Sequence, residues 1–289
     1  MSGPRAAGWT DTGLLLLVSL LWGSTFVAVK VAVSEVSPLL FVAVRFAIAS
    51  LAALLLCRRT PLFARSFRIG APIGLVYGAA YAAQTIGLTA TTPSRSAFIT
   101  ALSVALVPFW GVLVTRIRPG WPQVLALLLT IPGLWLLSSP GADGTPWNHG
   151  DSWTVACAVG FALHIALIGR FAGQLDAPGL LLGQLVATTA LAGASATFLE
   201  VPRITWSPAV VGALLLTSIL ATTVTTWVQL KVQPRVGSNR TALIFATEPV
   251  FGALFAYLVL GEHLTGAGFI GAGLILAAVL VSELSPGPN

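Results

Sequence analysis

Charged residues are scarce in this 289-residue chain, making up only 8% of it. A soluble domain usually carries about 25% charged residues because its surface faces water. Hydrophobic residues account for 56% of the chain, and this balance argues against a soluble enzyme. The 15 basic residues exceed the 9 acidic ones and give a formal charge of +6. Because the basic residues lie at the ends of apolar stretches, phospholipid headgroups account for them, and we expect no nucleic-acid partner.

The motifs of common enzyme chemistry are also absent from the sequence. It has no glycine-rich phosphate loop, no histidine pair at metal-ligand spacing and no Ser-His-Asp set that the sequence places together. We interpret the two cysteines, Cys57 and Cys157, as small buried hydrophobic residues. We therefore predict no enzyme activity, no cofactor and no metal.

What the sequence does contain is a series of ten long apolar stretches. An α-helix needs roughly 20 apolar residues to cross about 30 Å of hydrocarbon. The predicted spans are 11–33, 36–56, 69–89, 94–115, 120–138, 151–170, 178–199, 208–230, 237–260 and 265–283. The connections are too short to hold a separate domain. The sequence therefore predicts an all-α polytopic membrane protein with ten transmembrane helices.

The basic residues also predict the orientation in the membrane. With the amino terminus inside, the inner side collects Arg5, Arg58, Arg59, Arg65, Arg68, Arg116, Arg118, Arg170, Lys231, Arg235 and Arg240, and the outer side only Lys30, Arg95 and Arg203. Because basic residues accumulate in cytoplasmic loops, we expect both termini to lie in the cytoplasm. We expect the protein itself to lie in the inner membrane of the cell. The lipid bilayer and a small-molecule substrate are the expected partners, and we expect a functional monomer.

The chain repeats itself after five spans. Arg95-Ser96-Ala97-Phe98-Ile99 opens span four, and Arg240-Thr241-Ala242-Leu243-Ile244 lies near the start of span nine, 145 residues later. The same comparison places Trp22 near Phe161. Two units with an odd number of spans enter the membrane from opposite sides, an inverted repeat typical of secondary transporters. We expect one integral membrane domain built from repeats at 9–140 and 150–283.

Several short motifs add a family resemblance that covers essentially the whole chain. They are Leu21-Trp22-Gly23-Ser24 in span one, Arg45-Phe46 in span two, Glu248-Pro249 in span nine and Leu260-Gly261-Glu262 at its end. In this order they resemble the ten-helix EamA-type branch of the drug/metabolite transporter superfamily. The run Ser96-Ala97-Phe98-Ile99-Thr100-Ala101-Leu102 looks like the metabolite-exporting members, including YddG-type aromatic amino-acid exporters. The resemblance implies a transporter.

Polar and aromatic residues deep in the spans are the candidates for a substrate site, because such groups are costly in lipid. Tyr77, Tyr81 and Gln84 share one face of span three, which favours cavity lining over an interfacial aromatic role. Glu248 serves either in packing or in the cavity, and His164 either bonds a backbone carbonyl or binds a ligand. The predicted substrate-binding set is Trp22, Tyr77, Tyr81, Gln84, Thr100, Phe161, His164 and Glu248.

Three arginines are candidates for gating or for structural ion pairs. Arg45 lies near the middle of span two, where a structural pair with a carboxylate or a carbonyl is the simpler interpretation. Arg95 and Arg240 lie at opposite ends of the spans. Three roles are open for each of these two arginines. It binds a substrate carboxylate, it closes its own end by pairing with an acidic residue, or it anchors a lipid headgroup.

The sequence thus predicts a secondary transporter that works by alternating access. We expect export of small organic metabolites, most of all amino acids, with aromatic or apolar ones favoured. The alternatives are a broad-specificity drug or metabolite carrier and a membrane-embedded enzyme that modifies a lipid.

Overall fold

The computed structural model describes residues 8–56, 60–116, 118–138, 146–260 and 265–283. Several residues used above lie outside these ranges: Arg5, Cys57, Arg58, Arg59, Gly261 and Glu262. Within the described ranges the chain is helical, and the single isolated β-bridge joins the connections at Val36 and Ile204.

In the part of the chain that the structure describes, thirteen α-helices form ten consecutive transmembrane units, as the sequence predicts. They are α1 (Trp9–Ala32), α2 (Pro38–Leu54), α3 (Phe63–Ala90), α4 (Pro93–Ala101), α5 (Ser103–Thr115), α6 (Trp121–Ser138), α7 (His149–Phe171), α8 (Ala177–Leu199), α9 (Pro208–Leu215), α10 (Thr225–Val236), α11 (Ser238–Phe245), α12 (Glu248–Leu260) and α13 (Gly266–Glu283). Six units are long and apolar enough to cross a bilayer, and α2, α6 and α13 are shorter apolar helices. The remaining unit, α3, has 28 residues and carries the polar stripe.

Proline and side-chain caps set the helix starts. Pro38 and Pro93 occupy the first turns of their helices, where a missing backbone N–H costs nothing. Asn148 caps α7 in a capping box with Asp151, and Ser207 caps α9. Between α10 and α11, Gly237 adopts φ 86°, a left-handed conformation that favours glycine. These signals place the helix boundaries close to those of the apolar stretches.

Two of the ten units are interrupted at equivalent points. The fourth unit breaks at Leu102, between α4 and α5, and the ninth breaks at Ala246 and Thr247, between α11 and α12. The second halves begin at Ser103 and Glu248, which are 145 residues apart, the same offset that relates Arg95 to Arg240. Interrupted transmembrane helices near the bilayer centre are typical of transporter binding sites.

The eighth unit contains a π-helix, Leu216–Val224, between α9 and α10. In it the backbone N–H of Thr225 donates to the carbonyl of Leu220 rather than to that of Ala221. The carbonyl of Ala221 is thereby released for other donors. Such bulges concentrate at functional sites because they free backbone groups inside a helix.

Helix packing repeats with a period of five units. The third unit, α3, packs on α7 and α8, while the eighth unit packs on α1 and α2; α6 packs on its counterpart α13. The α3–α8 contact is close because glycines face backbone: a Cβ at Gly183 would overlap the carbonyl of Phe67. Small residues let membrane helices approach in this way. The ten units thus form two interleaved repeats of five units each, with their contact region at the centre.

Candidate functional site

A cavity lies at the centre of the molecule, between the two repeats and beside both helix interruptions. All eight predicted substrate-binding residues line it, although their role in binding stays a prediction. Six further residues complete the lining: Thr25, Ala101, Ser103, Ile165, Gln229 and Phe245. Sequence signals existed for two of them, since Ser103 is the repeat counterpart of Glu248 and Gln229 is an amide within a predicted span.

Aromatic rings form one wall of the cavity. Tyr77 and Tyr81 meet edge to face with ring centroids 4.8 Å apart, and Phe161 contacts Tyr81 at 5.0 Å. Phe46 supports Tyr81 from the helix α2 side at 5.1 Å. The hydroxyls of Tyr77 and Thr226 lie 3.0 Å apart, within hydrogen-bond distance. These contacts hold the rings in a fixed arrangement against which an apolar or aromatic body can pack.

Trp22 forms another part of the cavity wall. Its indole N–H donates to the released carbonyl of Ala221 and to the Thr225 hydroxyl, each at 3.1 Å. Its ring meets Phe245 edge to face at 4.7 Å. The π-helix therefore fixes the orientation of Trp22 in the cavity.

Arg45 is buried beside the cavity without lining it. Its Nε donates to the Thr222 hydroxyl at 2.9 Å, and its Nη2 to the carbonyl of Ala221 at 3.4 Å. The guanidinium centre lies 4.4 Å from the ring centroid of Tyr81, a cation–π contact. Arg45 thus joins the π-helix to the aromatic wall.

His164 is bonded to a side chain rather than to a backbone carbonyl. Its Nε2 lies 2.7 Å from Oε1 of Gln184, whose Nε2 in turn donates to the carbonyl of Leu180. Because an amide oxygen can only accept, Nε2 of His164 is the donor. The imidazole also stacks on Tyr77, with centroids 4.2 Å apart. One nitrogen of His164 is therefore already engaged inside the protein.

Two polar residues of the cavity differ in their pairing. Gln84 donates from Nε2 to the Thr100 hydroxyl at 3.2 Å, which joins α3 to α4. The carboxylate of Glu248 has no hydrogen bond or ion pair to any residue of the described ranges, and the side chain is partly exposed at the cavity. Glu248 is thus available to a ligand, whereas Gln84 is engaged in joining two helices.

Arg95 and Arg240 lie at opposite ends of the molecule and outside the cavity lining. Arg95 forms an ion pair of 2.8 Å with the buried Asp151, which also accepts a hydrogen bond from the Thr91 hydroxyl. At the other end, Arg235 pairs with Asp11 at 2.6 Å. Arg240 is buried there and donates to the Thr12 hydroxyl at 3.4 Å. Each end therefore carries contacts between a basic side chain and the first turn of α1 or α7.

The described residues contain no group of three or more His, Cys, Asp or Glu side chains placed to hold a metal ion. Cys157 is buried and unpaired by any disulfide, and its thiol lies 3.9 Å from the Thr100 hydroxyl. Cys157 thus packs behind the cavity wall.

Comparisons with known proteins agree with this architecture. A crystal structure of a protein 20% identical in sequence superposes with a TM-score of 0.74 over 95% of this chain and 96% of the other, which shows the fold. An uncharacterized transporter of Archaeoglobus fulgidus is 35% identical over 276 residues, covering 96% of this chain and 86% of the relative. A second uncharacterized transporter of that organism is 24% identical over 93% of this chain and 96% of its own length. The model of the EamA-like transporter family matches twice, at 12–139 and 148–284. The chain therefore belongs to the EamA-like transporter family, and it is a multi-pass membrane transporter.

Proposed function

We propose that this transporter exports small organic metabolites, with aromatic and apolar amino acids favoured, by alternating access. The observation that carries the proposal is the central cavity, where aromatic walls from α1, α3 and α7 face polar groups at two helix interruptions. Ring walls offer a large contact area to an apolar side chain. Polar groups at the interruptions offer partners for the charged part of a metabolite.

The two ends of the molecule support an alternating mechanism. An ion pair lies at each end, one between Arg95 and Asp151 and one between Arg235 and Asp11, and we take each pair to hold its end closed. Opening one pair at a time exposes the cavity to one side of the membrane only. The excess of basic residues on the Arg240 side supports a cytoplasmic location for that end, with both termini inside. The proposal takes a monomer in the inner membrane as the functional unit.

A broad-specificity drug or metabolite carrier is the second candidate. The cavity favours it in one respect, because its walls are rings that accept many apolar shapes. An enzyme that modifies lipids has less support, since no hydroxyl of the described cavity lining is hydrogen-bonded to His164 or Glu248 as an activated nucleophile would be.

The test is flux through the purified full-length protein in proteoliposomes. We expect vesicles loaded with labelled phenylalanine, tryptophan or leucine to release label faster than protein-free vesicles, and labelled glutamate or lysine to show no acceleration. Equal acceleration of all amino acids and of unrelated aromatic drugs supports the broad carrier instead. No acceleration of any of them contradicts both transport proposals.

A further inference from the structure

We infer that the cavity recognises its substrate through a protonated amino group, which Glu248 binds, and that a substrate carboxylate is dispensable. The inference rests on the proposed function, because it names the chemical group by which the transported metabolite is selected. It makes aromatic amines ligands at least as good as the matching aromatic amino acids.

The first step is the unpaired state of Glu248. Its carboxylate faces the cavity at the start of α12 and has no ionic partner among the residues the structure describes. Arg45, a buried cation beside the cavity, directs its guanidinium to Thr222 and the carbonyl of Ala221. A charge removed from water is costly unless it is paired, so a cationic ligand is the partner that would let Glu248 carry its charge in the cavity.

A second unsatisfied acceptor points to the same kind of ligand. Oε1 of Gln229 is buried without a hydrogen-bond partner among the described residues, while its Nε2 donates to Gln233 at 2.8 Å. An amide oxygen and a carboxylate can only accept hydrogen bonds. Gln229 belongs to the same cavity lining as Glu248. An ammonium group suits such a pair of acceptors, because it has three N–H donors on one centre.

The rings around these acceptors suit the same group. Trp22, Tyr81, Phe161 and Phe245 line the cavity that Glu248 enters. An ammonium near the face of an aromatic ring gains a cation–π attraction, most of all when water is excluded. The apolar remainder of an aromatic amine packs on the other rings.

The cavity offers little to a carboxylate. No lysine or arginine belongs to the described lining. His164 already donates its Nε2 proton to Gln184, and Ser103 supplies only a neutral hydroxyl. A bound carboxylate would also lie in the same small space as the carboxylate of Glu248. Repulsion between like charges therefore opposes an acid and leaves the amino group as the recognised end.

Three phenyl compounds that differ in their charged groups test this directly by calorimetric binding to the purified protein. They are phenethylamine, which lacks the carboxylate, L-phenylalanine, which has both groups, and 3-phenylpropionate, which lacks the amine. We expect phenethylamine to bind at least as tightly as phenylalanine and 3-phenylpropionate to show no binding. Binding of 3-phenylpropionate, or weaker binding of phenethylamine than of phenylalanine, overturns the inference. Binding is measured instead of flux because neutral amines cross bilayers unaided.

Variants then assign the effect to Glu248. Glu248→Gln keeps the side-chain volume, and we expect it to weaken phenethylamine binding by about 30-fold or more, as truncation of a buried charge pair does. The neutral analogue 2-phenylethanol should bind both proteins equally, which shows that the cavity is intact. Glu248→Asp should keep the preference for the amine over the alcohol. Equal weakening of amine and alcohol by Glu248→Gln contradicts the role of Glu248.

The control is Glu35→Gln, which removes a carboxylate from the connection between α1 and α2 and should leave all affinities unchanged. The outcomes also separate the two proposals. Phenylalanine flux without a preference for amines contradicts only this inference. Amine binding without flux of any compound contradicts only the proposed transport.

Discussion

Tyr81 connects the buried charge of the molecule to its cavity. One side of its ring receives the guanidinium of Arg45 at 4.4 Å, and its edge contacts bring in Tyr77 and Phe161. A substrate ring that packs on this wall therefore contacts a surface whose position depends on Arg45 and, through Arg45, on the π-helix.

We predict that Tyr81→Ala lowers kcat/KM for phenylalanine flux by roughly tenfold, because a ring contact contributes about 1–2 kcal/mol. Tyr81→Phe should stay close to the wild-type value, since it keeps the ring and loses only a hydroxyl that accepts a 3.4 Å hydrogen bond from Tyr77. Trp22→Ala should behave as Tyr81→Ala does. The measurement is proteoliposome flux at matched protein level and monodispersity.

Phe269→Ala is the control, because this aromatic side chain is 67% exposed on α13 and distant from the cavity. Unchanged flux in Tyr81→Ala and Trp22→Ala, or loss of flux only where folded protein is lost, would show that these rings serve packing alone.

The sequence predicts those cavity residues that are polar and also lie deep within a membrane span. Tyr77, Tyr81 and Gln84 stand out because three polar groups on one helical face are unusual in an apolar span. Phe245 gave no such signal, since a phenylalanine in a membrane helix is ordinary. Its role in the lining follows from the helix interruption beside it, which depends on tertiary packing.

At the scale of the helix, close packing of α3 and α8 determines the geometry on one side of the cavity. Gly183 of α8 faces the backbone of Phe67, so an added Cβ meets atoms that cannot rotate away. Gly193 lies on the same helix with nothing within 4 Å of the corresponding position. The two glycines form a matched pair for measuring what the close approach contributes.

We predict that Gly183→Ala lowers the Tm of the detergent-purified protein by several degrees, because α3 and α8 must separate to admit one methyl group, at a cost of about 1–3 kcal/mol. Gly193→Ala should leave the Tm unchanged or slightly raised, since alanine favours a helix over glycine. Equal Tm values for the two variants would show that the helices adjust without cost.

The helix bounds and the π-helix differ in how far the sequence predicts them. Span length and hydrophobicity are local properties, so the predicted spans agree with the helices within a few residues, apart from α3, which begins six residues earlier, and α10, which ends six residues later. The π-helix depends on distant partners. Trp22 and Arg45 both donate to the carbonyl of Ala221, and neither contact follows from the residues of the eighth span.

At the scale of the whole molecule, the two ends are related by the repeat but are not identical. Asp11 and Asp151 each occupy the third position of the first helix of their repeat, and Arg95 and Arg240 the third positions of α4 and α11. Arg95 pairs directly with Asp151. At the other end Arg235 forms the ion pair with Asp11, and Arg240 donates a hydrogen bond to the adjacent Thr12. The sequence repeat identified the two arginines, whereas the exchange of partners required the structure.

This difference leads to a prediction about gating, measured with reporter cysteines in a background without native cysteines. Thr25→Cys reports on the cavity towards the Arg95 end and Gln229→Cys towards the Arg240 end. We expect Arg95→Ala to raise labelling of the Thr25 reporter about fivefold when an impermeant maleimide is added from outside. This factor corresponds to removing about 1 kcal/mol of free energy from the state in which the Arg95 end is closed. Labelling of the Gln229 reporter should fall, because a larger fraction of the molecules is then in the state in which the Arg240 end is closed.

Arg240→Ala should produce the opposite bias, with more labelling of the Gln229 reporter in inside-out vesicles and less of the Thr25 reporter from outside. Its effect should be smaller than that of Arg235→Ala, because Arg235 keeps Asp11 paired when Arg240 is removed. Arg203→Ala, which removes an exposed arginine from the connection before α9, is the control and should change neither reporter. Changes in the same direction for Arg95→Ala and Arg240→Ala, or no change in either, would reject paired gates while leaving the family assignment intact.

Labelling of the Thr25 reporter only from the inside would instead reverse the orientation and, with it, the direction of transport.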